Sequence, residues 1–303
     1  MELIHREEAV TELLTIQDML RFATTQFNQA GLFYGHGADN ALDDAMQLIL
    51  PSLSLPLFGG AEMLNARLLL RERKMLVDLI AQRIELRIPV AYLTNTAWFA
   101  GLEFYVDERT LVPRSPFAEL INNHFKPWLN QQPERILDLC TGSACIAIAC
   151  AYAFPDAYVD AVDISDDALE VAEINIQGHG VEQQVIPMQS DLFSTIKNEK
   201  YDLIVSNPPY VDQEDMANLP EEFKHEPELG LACGFDGLDL VRKMLNQGAD
   251  MLNENGLLFV EVGNSQVHLQ QEFPDIPFEW IDFTSGGHGV FVLSKAQLDK
   301  ITW

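Results

Sequence analysis

From residue 117 to the end of the chain, strand-length apolar runs alternate with helix-length segments, and no other feature of the sequence restricts the fold as much. The runs "RILDL", "AYVDAV", "QVIPM", "YDLIVS", "GLLFVEV" and "GVFVL" read as strands, with helices predicted from Ala144, Asp166 and Gly237. A chain that keeps changing between a period of two and a period of 3.6 returns to one sheet through crossover helices. This predicts an α/β fold with a parallel sheet covered on both faces.

The first 90 residues have a different pattern. In "TIQDMLRFATTQF" the residues Ile16, Leu20, Ala23 and Phe27 recur at helical spacing, and Thr15 and Asp18 are placed to cap the start. "NALDDAMQLILP" begins at a possible cap, Asn40, and ends at Pro51, while the stretch from Ala61 to Ile88 reads as one long helix stopped by Pro89. These segments predict a small helical bundle. Between the halves, "TNTAWFAGLEFYVDERTLV" holds two aromatic and β-branched runs around Asp107-Glu108, which predicts a hairpin. The expected organisation is a helical domain over 1–92, a β-hairpin linker over 93–116 and an α/β domain over 117–303.

Composition excludes several classes. No uncharged apolar run approaches the roughly 18 residues needed to cross a bilayer. The start "MELIHREEAV" lacks the basic and apolar regions of a signal peptide, so the sequence predicts a cytoplasmic protein without a membrane partner. Cys140, Cys145, Cys150 and Cys233 form no C-x-x-C pair and no metal-ligand spacing with the seven histidines, so they read as reduced thiols without a metal. The formal charge is −27; residues 1–116 hold 10 basic against 15 acidic residues, and residues 117–303 hold 9 against 31. A surface that grips phosphate backbones needs clustered cations, so sequence-specific nucleic-acid binding is not expected of the α/β half. A basic protein partner fits its field, although excess acid by itself equally serves solubility.

The predicted strand ends carry the polar chemistry. "RILDLCTGSACIAIACA" runs from a strand through Cys140-Thr141-Gly142-Ser143 into a helix beginning near Ala144. A short loop of small residues before a helix lets a ligand approach unpaired backbone N–H groups, and Gly142 has no Cβ to obstruct it. Taken alone, such a loop is equally compatible with a structural turn. The next strand ends at Asp163, about 20 residues on, where a carboxylate can accept from both hydroxyls of a ribose. Asp166 and Asp167 read instead as helix-start residues favoured by the dipole. Following the third strand, Asp191 and Leu192 are placed to flank an adenine ring. Such an order matches ligands that bind at the carboxyl ends of parallel strands, and it predicts a nucleoside cofactor.

The fourth strand end is "YDLIVSNPPYVDQ". Pro208 and Pro209 cannot donate to a ladder and fix their own φ, so the strand stops where they begin. The Asn207 side-chain carbonyl and the Pro208 backbone carbonyl can accept the two N–H bonds of a substrate –NH₂, and Tyr210 can stack on its plane. The bland alternative is a Pro-Pro turn that closes a strand.

This order of motifs resembles the class I S-adenosylmethionine-dependent methyltransferases, and "SNPPY" is similar to the branch that methylates amide or exocyclic amino nitrogens. Over nearly the whole chain, "IPVAYLTNTAWFAGLEFYVDERTLVPRSPFAELI", "EPELGLACGFDGLDL" and "FVEVGNSQ" resemble the protein glutamine N5-methyltransferases. One branch of that family acts on peptide-chain release factors and one on large-subunit ribosomal protein L-three. Pro113-Arg114-Ser115-Pro116, Ala118-Glu119 and the tail "GGHGVFVL" look like the ribosomal-protein branch.

The resemblance implies a Rossmann-like seven-stranded sheet and S-adenosylmethionine held by Asp138, Cys140, Thr141, Gly142, Ser143, Ala144, Asp163, Asp191, Leu192 and Asn207. It implies substrate contacts from Asn207, Pro208, Pro209, Tyr210 and Phe99, the last closing a methyl channel. It also implies a basic ribosomal substrate read by the N-terminal helices. Rival readings are a release-factor enzyme, an adenine-N6 methyltransferase and a non-catalytic ribosome-assembly factor. Three positions depart from the family pattern: Cys140 and Ala144 replace loop glycines, and Asn95 replaces a hairpin glycine that it can imitate in a left-handed turn. A methyl at Ala144 is tolerable at a helix N-terminus if φ is negative, at the risk of narrowing the methionine pocket.

Overall fold

The computed structural model of the chain describes residues 5–57, 61–196, 199–284 and 286–301. It divides into two compact units. The first comprises Met1–Ala97, Val106–Glu108 and Pro220–His225, and the second comprises Trp98–Tyr105, Arg109–Leu219 and Glu226–Trp303.

The first unit is helical. Helix Ile16–Ala30 starts at a capping box, in which the Thr15 hydroxyl accepts from Asp18 N at 3.1 Å and Asp18 Oδ2 accepts from Thr15 N at 2.9 Å. Asn40 caps helix Ala41–Ser52 by accepting from Leu42 N and Asp43 N. The predicted long helix is two pieces, a 3₁₀ turn at Ala61–Asn65 and helix Leu70–Glu85. The interruption has a clear cause: Ala66 O accepts from Ile16 N and Leu68 N donates to Leu14 O, so this stretch is extended against the preceding chain. Met19, Phe27, Leu48, Ile49, Leu76 and Ile80 fill the core.

Inside that core lies a buried ion cluster. Arg83, only 1% exposed, donates from Nε to Asp44 Oδ2 at 2.9 Å and from Nη2 to Phe33 O at 3.0 Å. Glu222, from the distant 3₁₀ turn Glu221–His225, accepts from Phe33 N at 3.0 Å and from Arg87 Nη1 at 3.2 Å, with Arg83 Nη1 3.7 Å away. Burial pushes the Asp44 carboxyl up, and Arg83 acts against that shift.

The second unit is the sheet. Its hairpin consists of β1 (Ala97–Phe99) and β2 (Leu102–Phe104), although β1 begins at the last residue of the first unit. The turn falls at Ala100 (φ 50°) and Gly101 (φ 81°), not at the predicted Asp107-Glu108. A two-residue hairpin loop of type I′ requires positive φ at both central positions, which Ala100 and Gly101 supply and which suits an Asp-Glu pair less well.

Seven strands follow: β3 (Arg135–Leu139), β4 (Tyr158–Asp163), β5 (Val185–Gln189), β6 (Tyr201–Ser206), β7 (Leu252–Glu261), β8 (Glu279–Trp280) and β9 (Val290–Ser294). Their order in the sheet is β5-β4-β3-β6-β7-β9-β8. Strands β3 to β7 pair in parallel, whereas β9 is antiparallel to both β7 and β8, which corrects the wholly parallel expectation. Strand β9 follows β8 through a loop too short for a crossover helix, and a direct return reverses direction.

Alternate residues face opposite layers, as a pleated strand requires. Ile136, Val159, Leu203, Val205 and Phe259 join one apolar cluster, while Leu137, Leu139, Val162, Ile204, Leu258 and Val260 join another. Among the described residues no helix is long and apolar enough to cross a membrane.

Removing one partner of a buried pair leaves an uncompensated charge, which costs about 3–5 kcal/mol. Arg83→Ala is therefore expected to destabilise the helical unit by about that amount, and Arg83→Met, tested together with Asp44→Leu, by much less. Urea unfolding of the full chain, followed by circular dichroism, checks both.

Candidate active site

The carboxyl ends of β3, β4, β5 and β6 lie along one edge of the sheet, and every sequence-predicted polar residue except those of the hairpin belongs to these ends. Leu139, the last residue of β3, pairs with Val162 on one side and Ser206 on the other. The Ser206 hydroxyl donates to Leu139 O at 2.8 Å, tying the end of β6 to the end of β3.

The loop after β3 takes an unusual path. Cys140 (φ 59°), Gly142 (φ 55°) and Ala144 (φ 61°) all lie in the left-handed region. The negative φ that would make a methyl at Ala144 easy to accept is not met, because the backbone there takes the left-handed course that favours glycine. A left-handed L-residue costs roughly 1–2 kcal/mol, and local bonds hold the loop against that cost. Thr141 N donates to Val162 O and Ala144 N to Thr141 O, both at 2.9 Å, and Gly142 N donates to Asp163 Oδ2 at 2.9 Å. The Ala144 methyl is fully buried in an apolar cluster with Ile146, Ala147 and Ile148. A Cβ built on Gly142 would meet nothing within 4 Å, so the loop presents open space at that position.

Asp138 supports the loop from beneath. Its Oδ2 accepts from the Thr141 hydroxyl at 2.6 Å and from Ala147 N at 3.1 Å, while Oδ1 is buried with no hydrogen-bond partner among the described residues. Burial pushes this carboxyl up to about 7, against the pull of those two donors. Ser143 is buried, and its carbonyl accepts from Asn175 Nδ2 at 2.9 Å.

Asp163, half-buried at the end of β4, accepts one backbone N–H on each oxygen: Gly142 N on Oδ2, and Ser165 N on Oδ1 at 3.0 Å. A carboxylate has about four lone-pair sites, so each oxygen can accept a second donor. Burial pushes its acidity down, that is, its pKa up. After β5, Asp191 is exposed with Lys243 Nζ 3.6 Å away, and Leu192 is buried with φ 49°. Burial raises the Cys140 and Cys150 thiols far above their usual range and Cys145 to about 12, so all three are neutral thiols at neutral pH. No cluster of metal-ligating side chains exists among the described residues.

The segment after β6 is held most firmly at Tyr210. Its hydroxyl donates to Glu261 Oε1 at 3.0 Å, and Glu261 Oε2 accepts from the Ser115 hydroxyl at 2.6 Å. The Tyr210 carbonyl lies 2.9 Å from the Ser265 hydroxyl that donates to it. Two glycines permit the close approach, since a Cβ on Gly237 would lie 2.2 Å from Tyr210 O and one on Gly263 would lie 2.6 Å from the ring. Glu261 is buried, and desolvation pushes it up to about 7; burial and the Glu261 charge together push the Tyr210 phenol up. The phenol therefore keeps its proton.

Pro208 is buried, and Asn207 and Pro209 are half-buried. The Asn207 side chain has no hydrogen-bond partner among the described residues, unlike the amide of Asn175, which bonds Tyr105 O and Ser143 O. Phe99 is 4% exposed and belongs to the core cluster with Phe104 and Phe117, so it offers little surface to a substrate. Sequence reasoning assigned no role to Ser115, Glu261, Gly237, Gly263 or Ser265. Each lies within or beside a stretch quoted for its resemblance, but only the fold brings them to Tyr210.

A carboxyl whose folded-state pKa exceeds its unfolded value binds a proton in the native state between the two, so stability falls as pH rises through that window. For Asp138 the window runs from 3.8 to about 7. In Asp138→Asn the decline in unfolding free energy from pH 4 to pH 7 should be shallower than in the parent. Denaturant titrations at several pH values measure it.

Comparison with known proteins fits this geometry. The family model described as "Methyltransferase small domain" matches residues 118–228. The chain is 50% identical over 294 residues to the ribosomal protein uL3 glutamine methyltransferase of Neisseria gonorrhoeae, covering 96% of this chain and 98% of that one. It is 44% identical over 297 residues to the protein of the same name from Francisella tularensis subsp. tularensis, covering 97% and 95%. Among solved structures, the hMettl16 catalytic domain superposes with a TM-score of 0.50 at 15% identity, covering 76% of this chain and 83% of that one, a likeness of fold alone. With relatives of this identity along nearly its whole length, the chain belongs to the family of ribosomal protein uL3 glutamine methyltransferases.

Proposed function

We propose that this protein transfers a methyl group from S-adenosylmethionine to the side-chain amide nitrogen of a glutamine in ribosomal protein uL3. The observation that carries the chemistry is an unpartnered Asn207 amide followed by two prolines, at a sheet edge whose neighbouring ends offer a glycine loop and a carboxylate. The names of both relatives carry the choice of substrate.

The residues present fit S-adenosylmethionine. Asp163 has free lone pairs for two ribose hydroxyls, the space over Gly142 is open, and the partnerless Asp138 Oδ1 is an acceptor within the same loop. Asp191 and Leu192 would flank the adenine, and backbone from Cys140 to Ala144 would face the methionine portion. When bound, that group supplies a methyl carbon made electrophilic by a sulfonium.

The chain's own residues deal with the nucleophile. A carboxamide nitrogen has a delocalised lone pair and reacts only when held in one orientation. The Asn207 side-chain carbonyl and the Pro208 carbonyl accept its two N–H bonds, and the proline rings keep both acceptors in place. Tyr210 packs on the amide plane with its phenol anchored to Glu261 as a neutral donor. The methylated nitrogen releases its extra proton to water, so no side chain is required as a base. The helical unit serves substrate recognition, and the protein works in the cytoplasm, where ribosomes are assembled.

Incubation of the purified protein with labelled cofactor and either uL3 or a release factor, followed by mass spectrometry of the modified peptide, tests the reading; label confined to the release factor would reject it. Asn207→Ala should lower kcat at least about a hundredfold. The dissociation constant for S-adenosylmethionine, measured by calorimetry, should stay within a few fold of the parent value.

A further inference from the structure

The loop that follows Tyr210 carries the most exposed large apolar side chain among the described residues, Phe235, at 83% exposure. A single exposed apolar residue is ordinary on a protein surface. Phe235 differs in how firmly its backbone is fixed. It stands between Gly234 (φ 70°) and Asp236, and Gly237 (φ 76°) follows, so left-handed turns bracket it. Phe235 O accepts from Gln213 N at 3.3 Å, and Asp236 accepts from Arg242 Nη1 at 3.1 Å. The Ser265 hydroxyl lies 3.1 Å from Asp236 O and 2.9 Å from Tyr210 O, so one donor serves both the loop and the catalytic segment. An aromatic ring on a fixed backbone loses little entropy when it is covered, which is the usual character of a binding anchor.

Its surroundings indicate what covers it. Val267, 57% exposed, stands between Ser265 and His268, both of which reach Asp236 O. On the other side, the Gln213 that bonds Phe235 O opens helix Gln213–Ala217, where Glu214 and Asp215 are exposed. A second copy of this chain would bring its own −27 charge against those acids. A basic polypeptide would not.

We propose that Phe235 is a docking residue for the substrate chain: it is covered by an apolar residue in the segment flanking the target glutamine, while Glu214 and Asp215 receive basic residues of that segment. This rests on the glutamine-methyltransferase reading above and adds to it a site of substrate specificity two residues from the glycine packed on Tyr210.

Steady-state methylation of purified uL3 by the full chain tests it. Phe235→Ser should raise KM for uL3 about tenfold while kcat at saturation and the affinity for S-adenosylmethionine stay within twofold, and Phe235→Leu should recover most of the loss. The double variant Glu214→Gln, Asp215→Asn should raise KM severalfold at low salt, with the difference fading at high salt. An unchanged KM in Phe235→Ser, with the parent active, overturns the docking role and leaves the methyltransferase reading intact. A fall in kcat at constant KM overturns it too, because the loop would then serve only to support Tyr210. Sedimentation that shows dimers of the parent, abolished by Phe235→Ser, would assign the ring to self-association. A parent inactive on uL3 overturns both readings.

Discussion

The pairing of Leu139 with Val162 on one flank and Ser206 on the other is the constraint on which the rest of the site depends. Parallel strands in register end at the same level, so the loops that follow emerge side by side. Gly142 N can then reach the Asp163 carboxylate at the end of the neighbouring strand, and Ser206 can bond back to Leu139 one residue before Asn207. Register is strongly specified because both faces of the sheet are buried, and a slip by one residue would turn every apolar side chain toward the wrong layer. The alternation of Ile136, Leu137 and Leu139 between two apolar clusters is what forbids that slip.

Backbone strain concentrates at the same edge. Cys140, Ala144 and Leu192 are non-glycine residues with positive φ, and all three border the loops assigned to the cofactor. Strained positions persist only where their surroundings over-determine them, and here the surroundings are hydrogen bonds to Val162, Asp163 and Asp138 together with close burial. Cysteine and alanine therefore stand at positions 140 and 144 in a backbone conformation that favours glycine. The cost falls on stability.

The buried carboxyls Asp44, Glu222, Glu226, Asp138 and Glu261 fall into two groups by the donors that hold them. Asp44 and Glu222 face arginines, and Arg114 grips Glu226 with two bonds of 2.6 Å. Such pairs lock elements together. Asp138 and Glu261 are instead bonded by hydroxyls and, for Asp138, a backbone N–H, and both are pushed up to about 7. Asp138 lies beneath the Cys140–Ala144 loop and Glu261 beside Tyr210. Hydroxyl and backbone donors orient these carboxyls, and burial outweighs their pull and, for Glu261, that of the Arg114 charge. The acidic excess of the α/β half acts at longer range, as a negative field.

Strand and helix content, the helix caps at Thr15 and Asn40 and the order of polar groups at the strand ends were legible in the sequence, because each depends on neighbours within a few residues. Tertiary structure decided the antiparallel course of β9, the hairpin turn at Ala100-Gly101 and the break before Leu70, since each depends on which distant segment lies alongside. It also decided the left-handed Ala144, which local preference argues against and which lies in a loop held by bonds from Thr141 to Val162 and from Gly142 to Asp163. Glu261, Ser115 and Ser265 are separated from Tyr210 by at least 51 residues along the chain, and no periodicity encodes such contacts. Sequence by itself determined which chemical groups the sheet edge would carry. How rigidly those groups are held was settled only by long-range burial, because burial is a property of the whole packed core and not of any local stretch.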